Sequence, residues 1–163
     1  MTHDDDNESQ YERLMAVAIE QALAAKHEGD VPIGAVVVRD DDGEIIAAAH
    51  NRRIIDADPT AHAEMLAIRA AAASIGDWRL SGCTMVVTIE PCCMCAGAIV
   101  LARMDRVVYG ASDPKAGAVD TLYQLCSDPR LNHRLDIVAG VEAEKCGGLL
   151  TDFFQAQRAA GKK

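Results

Sequence analysis

Hydrophobic residues recur along the chain with two periods, one typical of helices and the other of strands. Over residues 11–26 they return every three or four positions, which predicts an amphipathic helix. Over residues 32–38 they form a continuous run, which predicts a strand buried on both faces. An Asp-rich turn follows, and residues 44–50 then complete an antiparallel hairpin.

The rest of the chain alternates between predicted helices and strands. Helices are predicted over residues 61–74, 91–103, 121–126 and 141–160, and strands over residues 84–89, 106–109 and 136–138. Strands that alternate with helices pair in parallel and carry helices on both faces of their sheet. Because the hairpin adds an antiparallel pair, the pattern predicts an α/β fold with a mixed sheet.

Length and composition are those of one globular domain. The chain has 163 residues, 50% of them hydrophobic, and a domain typically holds roughly 100–200 residues. We assign residues 10–160 to a single domain and the polar, acidic residues 1–9 to a disordered tail. The acidic start is unlike a signal peptide, and no apolar stretch is long enough to span a membrane. We therefore expect a cytoplasmic protein.

The charge of the chain argues against binding nucleic acid by bulk electrostatics. The formal net charge is -9 at pH 7, and contacts to phosphates need Lys and Arg. Residues 1–50 carry this whole excess, however, and residues 51–163 hold equal numbers of acidic and basic side chains. The charge therefore predicts few phosphate contacts without excluding an RNA partner.

Two short segments, each at the start of a predicted helix, combine the side chains of a zinc enzyme. Cys92 and Cys95 lie three residues apart, so a helix places both sulfurs on one face. The other segment offers His62 as a nitrogen ligand and, two residues later, Glu64. Three protein ligands leave a coordination position for water, where Glu64 can transfer protons. The H-x-E and P-C-x-x-C segments together are typical of zinc deaminases.

The chain resembles bacterial tRNA-specific adenosine deaminases over residues 10–160. The matching stretches are residues 31–38, 51–52, 58–64, 88–98, 106–111, 113–118, 131–133 and 149–154. The resemblance implies a three-layer α/β/α fold like that of cytidine deaminases, with a mixed five-stranded sheet and helices on both faces. It also implies one Zn²⁺ per subunit, held by His62, Cys92 and Cys95, with Glu64 as the catalytic residue.

The same resemblance implies a substrate and a mode of assembly. The expected reaction is hydrolysis of adenosine to inosine at the wobble position of a tRNA anticodon stem-loop, with an arginine tRNA as substrate. The expected enzyme is a homodimer formed through the helix over residues 91–103 and its neighbouring elements. The side chains implied at the substrate are Asn51, Val31, Pro32, Ile33, Asp113, Lys115, Phe153 and Phe154.

Several alternatives stay open at the level of sequence. A deaminase of a free base or nucleoside, guanine or cytosine, would use the same zinc chemistry behind a different pocket rim. A zinc-stabilised binding module would lack catalysis, although the open fourth ligand position and Glu64 argue against it. Asn51 could instead be a turn residue, and Phe153 and Phe154 could belong to the hydrophobic core.

Overall fold

A computed structural model describes residues 3–162 and shows a five-stranded sheet between two layers of helices. The helices are α1 (His3–His27), α2 (Ala63–Ile75), α3 (Cys93–Leu101) and α4 (Ala143–Ala159). The strands are β1 (Gly34–Arg39), β2 (Ile45–His50), β3 (Cys83–Ile89), β4 (Arg106–Ala111) and β5 (Asp136–Val138). Within residues 3–162, no helix has the length and apolar character needed to cross a membrane.

The sheet is mixed, as the hydrophobic pattern predicts. Its strand order is β2-β1-β3-β4-β5. β1 pairs antiparallel with β2 and with β3, whereas β3 and β4, and then β4 and β5, pair in parallel. β3 is buried along its whole length and β1 along all but its last residue, which is the burial of strands covered on both faces.

Alternating residues of the central strands divide the hydrophobic core between the two faces. Met85 and Val87 of β3 pack in a cluster with the Ala-rich α2 and with α3. Val86, which points to the other face, packs in a cluster with Met15 of α1 and Cys146 of α4. The three-layer arrangement follows: α2 and α3 on one face of the sheet, α1 and α4 on the other.

One predicted helix is wrong. Residues 121–126 form turns instead of a helix. The backbone N–H groups of Asp120 and Thr121 donate to the carboxylate of Glu90, and that of Leu122 donates to the carbonyl of Gly117. These tertiary hydrogen bonds fix the segment in a compact loop, which local helix propensity does not reveal.

The first residues of the chain also differ from the prediction. Residues 3–9, which we expected to be disordered, form the first turns of α1. Asp4, Asp5 and Asp6 lie in its first turn, where carboxylates interact favourably with the positive end of the helix dipole. Residues 1 and 2 of the predicted tail lie outside the described residues.

Candidate active site

The N-termini of α2 and α3 bring the three predicted metal ligands together. His62 Nδ1 lies 3.7 Å from Cys92 Sγ and 3.5 Å from Cys95 Sγ. His62 and Cys92 are the N-cap residues of their helices and have extended backbones, while Cys95 follows in the first turn of α3. Two helix starts, about thirty residues apart in sequence, thus direct one nitrogen and two sulfur atoms toward one point.

A tetrahedral zinc ion fits this donor set. Bonds of about 2.3 Å to sulfur and about 2.0 Å to nitrogen place tetrahedral N and S ligand atoms about 3.5 Å apart. The observed N···S distances of 3.5 and 3.7 Å agree with that separation. All three ligand atoms lie within 4.8 Å of one another, and imidazole with thiolate is a ligand set that suits zinc.

The pKa values of the two cysteines are shifted in opposite directions in this arrangement. Hydrogen bonds from Cys95 and His62 outweigh burial and lower the pKa of the Cys92 thiol to about 3. The hydrogen bond to Cys92, together with burial, raises the pKa of the Cys95 thiol. The lowered pKa of Cys92 favours its thiolate, which is the form of cysteine that binds a metal.

Glu64 lies beside the donor set and has the properties of an acid–base group. It is in the first turn of α2, is 4% exposed, and lines a pocket together with His62 and Cys92. Burial raises the pKa of its carboxyl, and the nearby charge of Cys92 acts in the same direction. A carboxyl with a raised pKa can both accept and return a proton near neutral pH.

Three of the predicted substrate residues line this same pocket: Ile33, Asn51 and Asp113. Asn51 is 2% exposed, and its Nδ2 donates to Asp30 Oδ1 at 3.1 Å. Its Oδ1 has no hydrogen-bond partner among the described residues. Arg53, which the sequence did not single out, is exposed at the pocket rim.

A more open groove adjoins the pocket and shares Ile33, Ile89 and Asp113 with it. It is also lined by three of the predicted substrate residues, Val31, Lys115 and Phe154, and by Pro114, Leu150 and Arg158. The groove combines apolar walls with two cationic side chains, a combination that suits an unpaired base and its phosphate.

The structure separates the remaining two predicted substrate residues from these surfaces. Phe153 is 7% exposed, whereas Phe154 is 42% exposed and contacts it edge-on with ring centroids 5.5 Å apart. Phe153 therefore packs inward and Phe154 faces the groove. Pro32 is buried and lines neither the pocket nor the groove.

Glu90, which sequence reasoning missed, holds the loop on one side of the pocket. This residue follows β3 directly and is 3% exposed. Its carboxylate accepts hydrogen bonds of 2.9–3.1 Å from the backbone N–H groups of Asp113, Val119, Asp120 and Thr121. These bonds outweigh the burial that would raise the pKa of the carboxyl, so the pKa is lowered. The feature of the sequence that could have identified Glu90 is its position, an acidic residue directly after a predicted buried strand.

The fold and this site together define a zinc-dependent deaminase. Residues 8–111 match the family described as the cytidine and deoxycytidylate deaminase zinc-binding region. The chain is also 51% identical over 150 residues to the tRNA-specific adenosine deaminase of Bacillus subtilis. This alignment covers 92% of each chain. The chain belongs to the tRNA-specific adenosine deaminase branch of that family.

Solved structures share the fold. A tRNA:A34 deaminase, studied for A-to-I editing at the wobble position of transfer RNA, aligns with a TM-score of 0.80 and 42% identity over 85% of this chain and 99% of that chain. A guanine deaminase from Nitrosomonas europaea aligns with a TM-score of 0.77 over 87% of this chain and 83% of that chain. Because the two sequences are only 24% identical, this similarity concerns the fold alone.

Proposed function

We propose that the chain hydrolyses adenosine to inosine at the wobble position of a tRNA anticodon loop. The observation that carries this proposal is the buried Glu64 beside the donor set of His62, Cys92 and Cys95 at the base of one pocket. The similarity to tRNA-specific adenosine deaminases over most of both chains supports the choice of adenosine in tRNA as substrate.

The residues of the pocket divide the chemistry among them. His62, Cys92 and Cys95 would hold the zinc ion, which would supply Lewis-acid activation of water. Glu64 accepts a proton from that water and delivers it to N1 of the adenine as the water oxygen bonds to C6. Glu64 then accepts the remaining proton of the oxygen on C6 and passes it to the amino group, so that the C6–N bond breaks, ammonia leaves and the C6 carbonyl of inosine forms.

The neighbouring groove supports an RNA substrate whose target base is flipped out of its strand. A stacked base cannot reach a buried carboxyl such as Glu64, so the nucleotide must rotate into the pocket. Phe154 offers an exposed ring on which an adjacent base can stack. Arg53, Lys115 and Arg158 have no ion-pair partner among the described residues and are therefore available to phosphates.

The finer features of the substrate and the assembly are also proposals. The resemblance favours an arginine tRNA, and a tRNA substrate favours a cytoplasmic location. For the homodimer, α3 supplies a candidate interface. Its residues Met94, Gly97, Ala98 and Leu101 recur with helical spacing on the side opposite the buried ones, and Leu101 is 69% exposed.

A comparison of activity on an RNA stem-loop and on free bases and nucleosides tests the proposed function. An anticodon stem-loop with adenosine at the wobble position is incubated with the zinc-loaded protein, and inosine is measured after nuclease digestion. Ammonia release is measured in parallel from free guanine, cytosine and adenosine. We expect inosine in the stem-loop and no ammonia from the free compounds at the same enzyme concentration.

The other outcomes identify the alternatives. Rapid ammonia release from guanine or cytosine, without inosine in the stem-loop, would indicate a free-base deaminase. Zinc binding with no deamination of any substrate would indicate a binding module. In cells, sequencing an arginine tRNA with and without the gene would show whether its wobble adenosine is the natural target.

A further inference from the structure

A fully buried carboxylate connects the two chain segments that form one wall of the pocket. Asp30, which precedes β1, has no exposed surface. Its Oδ1 accepts hydrogen bonds from Val31 N at 2.8 Å and from Asn51 Nδ2 at 3.1 Å, and its Oδ2 accepts one from Ile54 N at 2.8 Å. Asp30 thus ties the start of β1 to the segment that follows β2.

These contacts dictate which way the amide of Asn51 is turned. A carboxylate without a proton only accepts hydrogen bonds, so Asn51 must present its Nδ2 to Asp30. The amide Oδ1 then has to lie on the other side, where it is buried without a partner among the described residues. Asn51 lines the pocket with Glu64 and Cys92, and its one unpartnered polar atom is the acceptor Oδ1.

We propose that Asp30 is a positioning residue that fixes Asn51 as a hydrogen-bond acceptor for the bound nucleotide. The inference rests on the proposed function, because it assumes a nucleotide in the pocket. A buried acceptor selects a group that donates. The ring nitrogens N1, N3 and N7 of adenine accept, and the 3′ and 5′ oxygens are esterified within an RNA strand. The donors that remain on the target nucleotide are the ribose 2′-OH and the exocyclic amine.

Asp30→Asn tests this role, because it replaces one of two acceptor oxygens with a donor while keeping the size of the side chain, so Asn51 is no longer held in a single orientation. Asp56→Asn is the matched control. Asp56 lies in the same segment, but it is exposed and pairs with Arg52 at 3.0 Å instead of with Asn51. For each variant, kcat and KM are measured on the zinc-loaded protein with the wobble stem-loop, beside zinc content and thermal unfolding.

We expect Asp30→Asn and Asn51→Ala each to lower kcat/KM by about tenfold or more, with zinc content unchanged. Because Asp30 acts through Asn51, the double variant should be no worse than Asn51→Ala alone. An Asp30→Asn variant as active as the Asp56→Asn control would overturn the inference, as would losses that simply multiply in the double variant. If the wild-type protein itself leaves the stem-loop unchanged, the proposed function fails instead.

A substrate change distinguishes the two possible donors. The same stem-loop is prepared with 2′-deoxyadenosine at the target position. If Asn51 accepts from the 2′-OH, wild-type protein prefers the ribose substrate, and both Asp30→Asn and Asn51→Ala lose that preference. If Asn51 accepts from the exocyclic amine, the losses caused by the variants are the same on both substrates.

An exchange variant keeps the inference testable if Asp30→Asn does not fold. Asn51→Asp alone places two carboxylates against each other, whereas Asp30→Asn combined with Asn51→Asp restores one hydrogen bond between an amide and a carboxylate. Higher kcat/KM in the combined variant than in Asn51→Asp alone supports the positioning role. Equal or lower activity contradicts it.

Discussion

Among the single residues of the site, Glu64 is a buried carboxyl that lines the pocket, and we propose that it transfers the protons. Glu64→Gln keeps the shape of the side chain but cannot take up a proton from water. We expect kcat for inosine formation to fall by about 10²–10⁴-fold or more, while zinc content stays at the wild-type value because Glu64 is outside the proposed ligand set. Single-turnover assays and metal analysis check the two parts. A variant with normal turnover would assign the proton transfer to another group.

The two neighbouring cysteines of α3 allow a matched test of the ligand set. Cys95 is fully buried and close to His62 Nδ1, whereas Cys93, two residues earlier, is exposed. We expect Cys95→Ser to lower the zinc content per chain and to lower the melting temperature, since metal binding stabilises the folded state. Cys93→Ser should retain full zinc. Full zinc in both variants, after dialysis against a weak chelator, would remove Cys95 from the ligand set.

The spacing of residues in the sequence explains which parts of the site were predictable. His62 and Glu64 lie two residues apart at one helix start, and Cys92 and Cys95 lie three residues apart at another, so each pair has a local pattern that indicates its chemistry. Asp30 instead acts on Asn51, 21 residues away, and Glu90 acts on Thr121, 31 residues away. Contacts over such separations depend on the completed fold, and a single acidic residue has no pattern of its own.

At the scale of elements, the loop after β4 depends on close packing against Glu90. A Cβ atom on Gly117 would lie 2.4 Å from Glu90 Cδ and 2.6 Å from the carbonyl oxygen of Asp113. Asp113 belongs to this loop and lines the pocket. Gly117→Ala should therefore displace Asp113 from its position at the pocket. We expect KM for the stem-loop to rise and zinc content to stay unchanged, and kinetics with metal analysis checks both.

A second glycine provides the control for this prediction. Gly148 lies inside α4, and a Cβ atom there would meet nothing within 4 Å. Because alanine loses less backbone entropy than glycine on forming a helix, Gly148→Ala should stabilise the fold by about 0.5–1 kcal/mol and leave KM unchanged. If both variants had wild-type KM, the loop would not depend on the contact with Glu90.

The elements themselves were predictable where their own residues decide their structure. Helices cover both faces of this sheet, so β1 and β3 are largely apolar. Such apolar runs indicate buried strands in the sequence. Residues 121–126 were not predictable, since bonds to Glu90 compete with helix formation. For residues 3–9, helix formation follows from the buried part of α1, because extending an existing helix is much easier than starting one.

For the whole molecule, the distribution of charge matters more than its sum. The acidic residues at the start of α1, Asp4 and Glu8 among them, border a groove with Arg106 and Glu142. Arg106 begins β4, whereas the active site lies where β3 ends. We therefore expect these acidic residues to act on an RNA ligand through long-range repulsion, which salt screens.

Deletion of residues 1–8 tests that repulsion. It removes four carboxylates and changes the net charge from -9 to -5. We expect tighter binding of the stem-loop at low salt, a difference that disappears at high salt, and an unchanged kcat. Fluorescence anisotropy over a series of salt concentrations measures the effect. Clearly weaker binding after the deletion would show that the start of α1 contributes a favourable contact.

The apolar side of α3 predicts the oligomeric state. Leu101 is 69% exposed, and a Cβ atom on Gly97 would meet nothing within 4 Å among the described residues. Covering this side with a second copy would remove apolar surface from water on both chains, and small residues permit close approach of two helices. Leu101→Glu should therefore convert the proposed dimer into a monomer at micromolar concentration, because it would bury two carboxylates at the proposed interface. Leu23→Glu, which changes a 45% exposed leucine of α1, should stay dimeric. Light scattering on the wild-type protein and on both variants measures this, and a dimer that survives Leu101→Glu would place the interface on another surface.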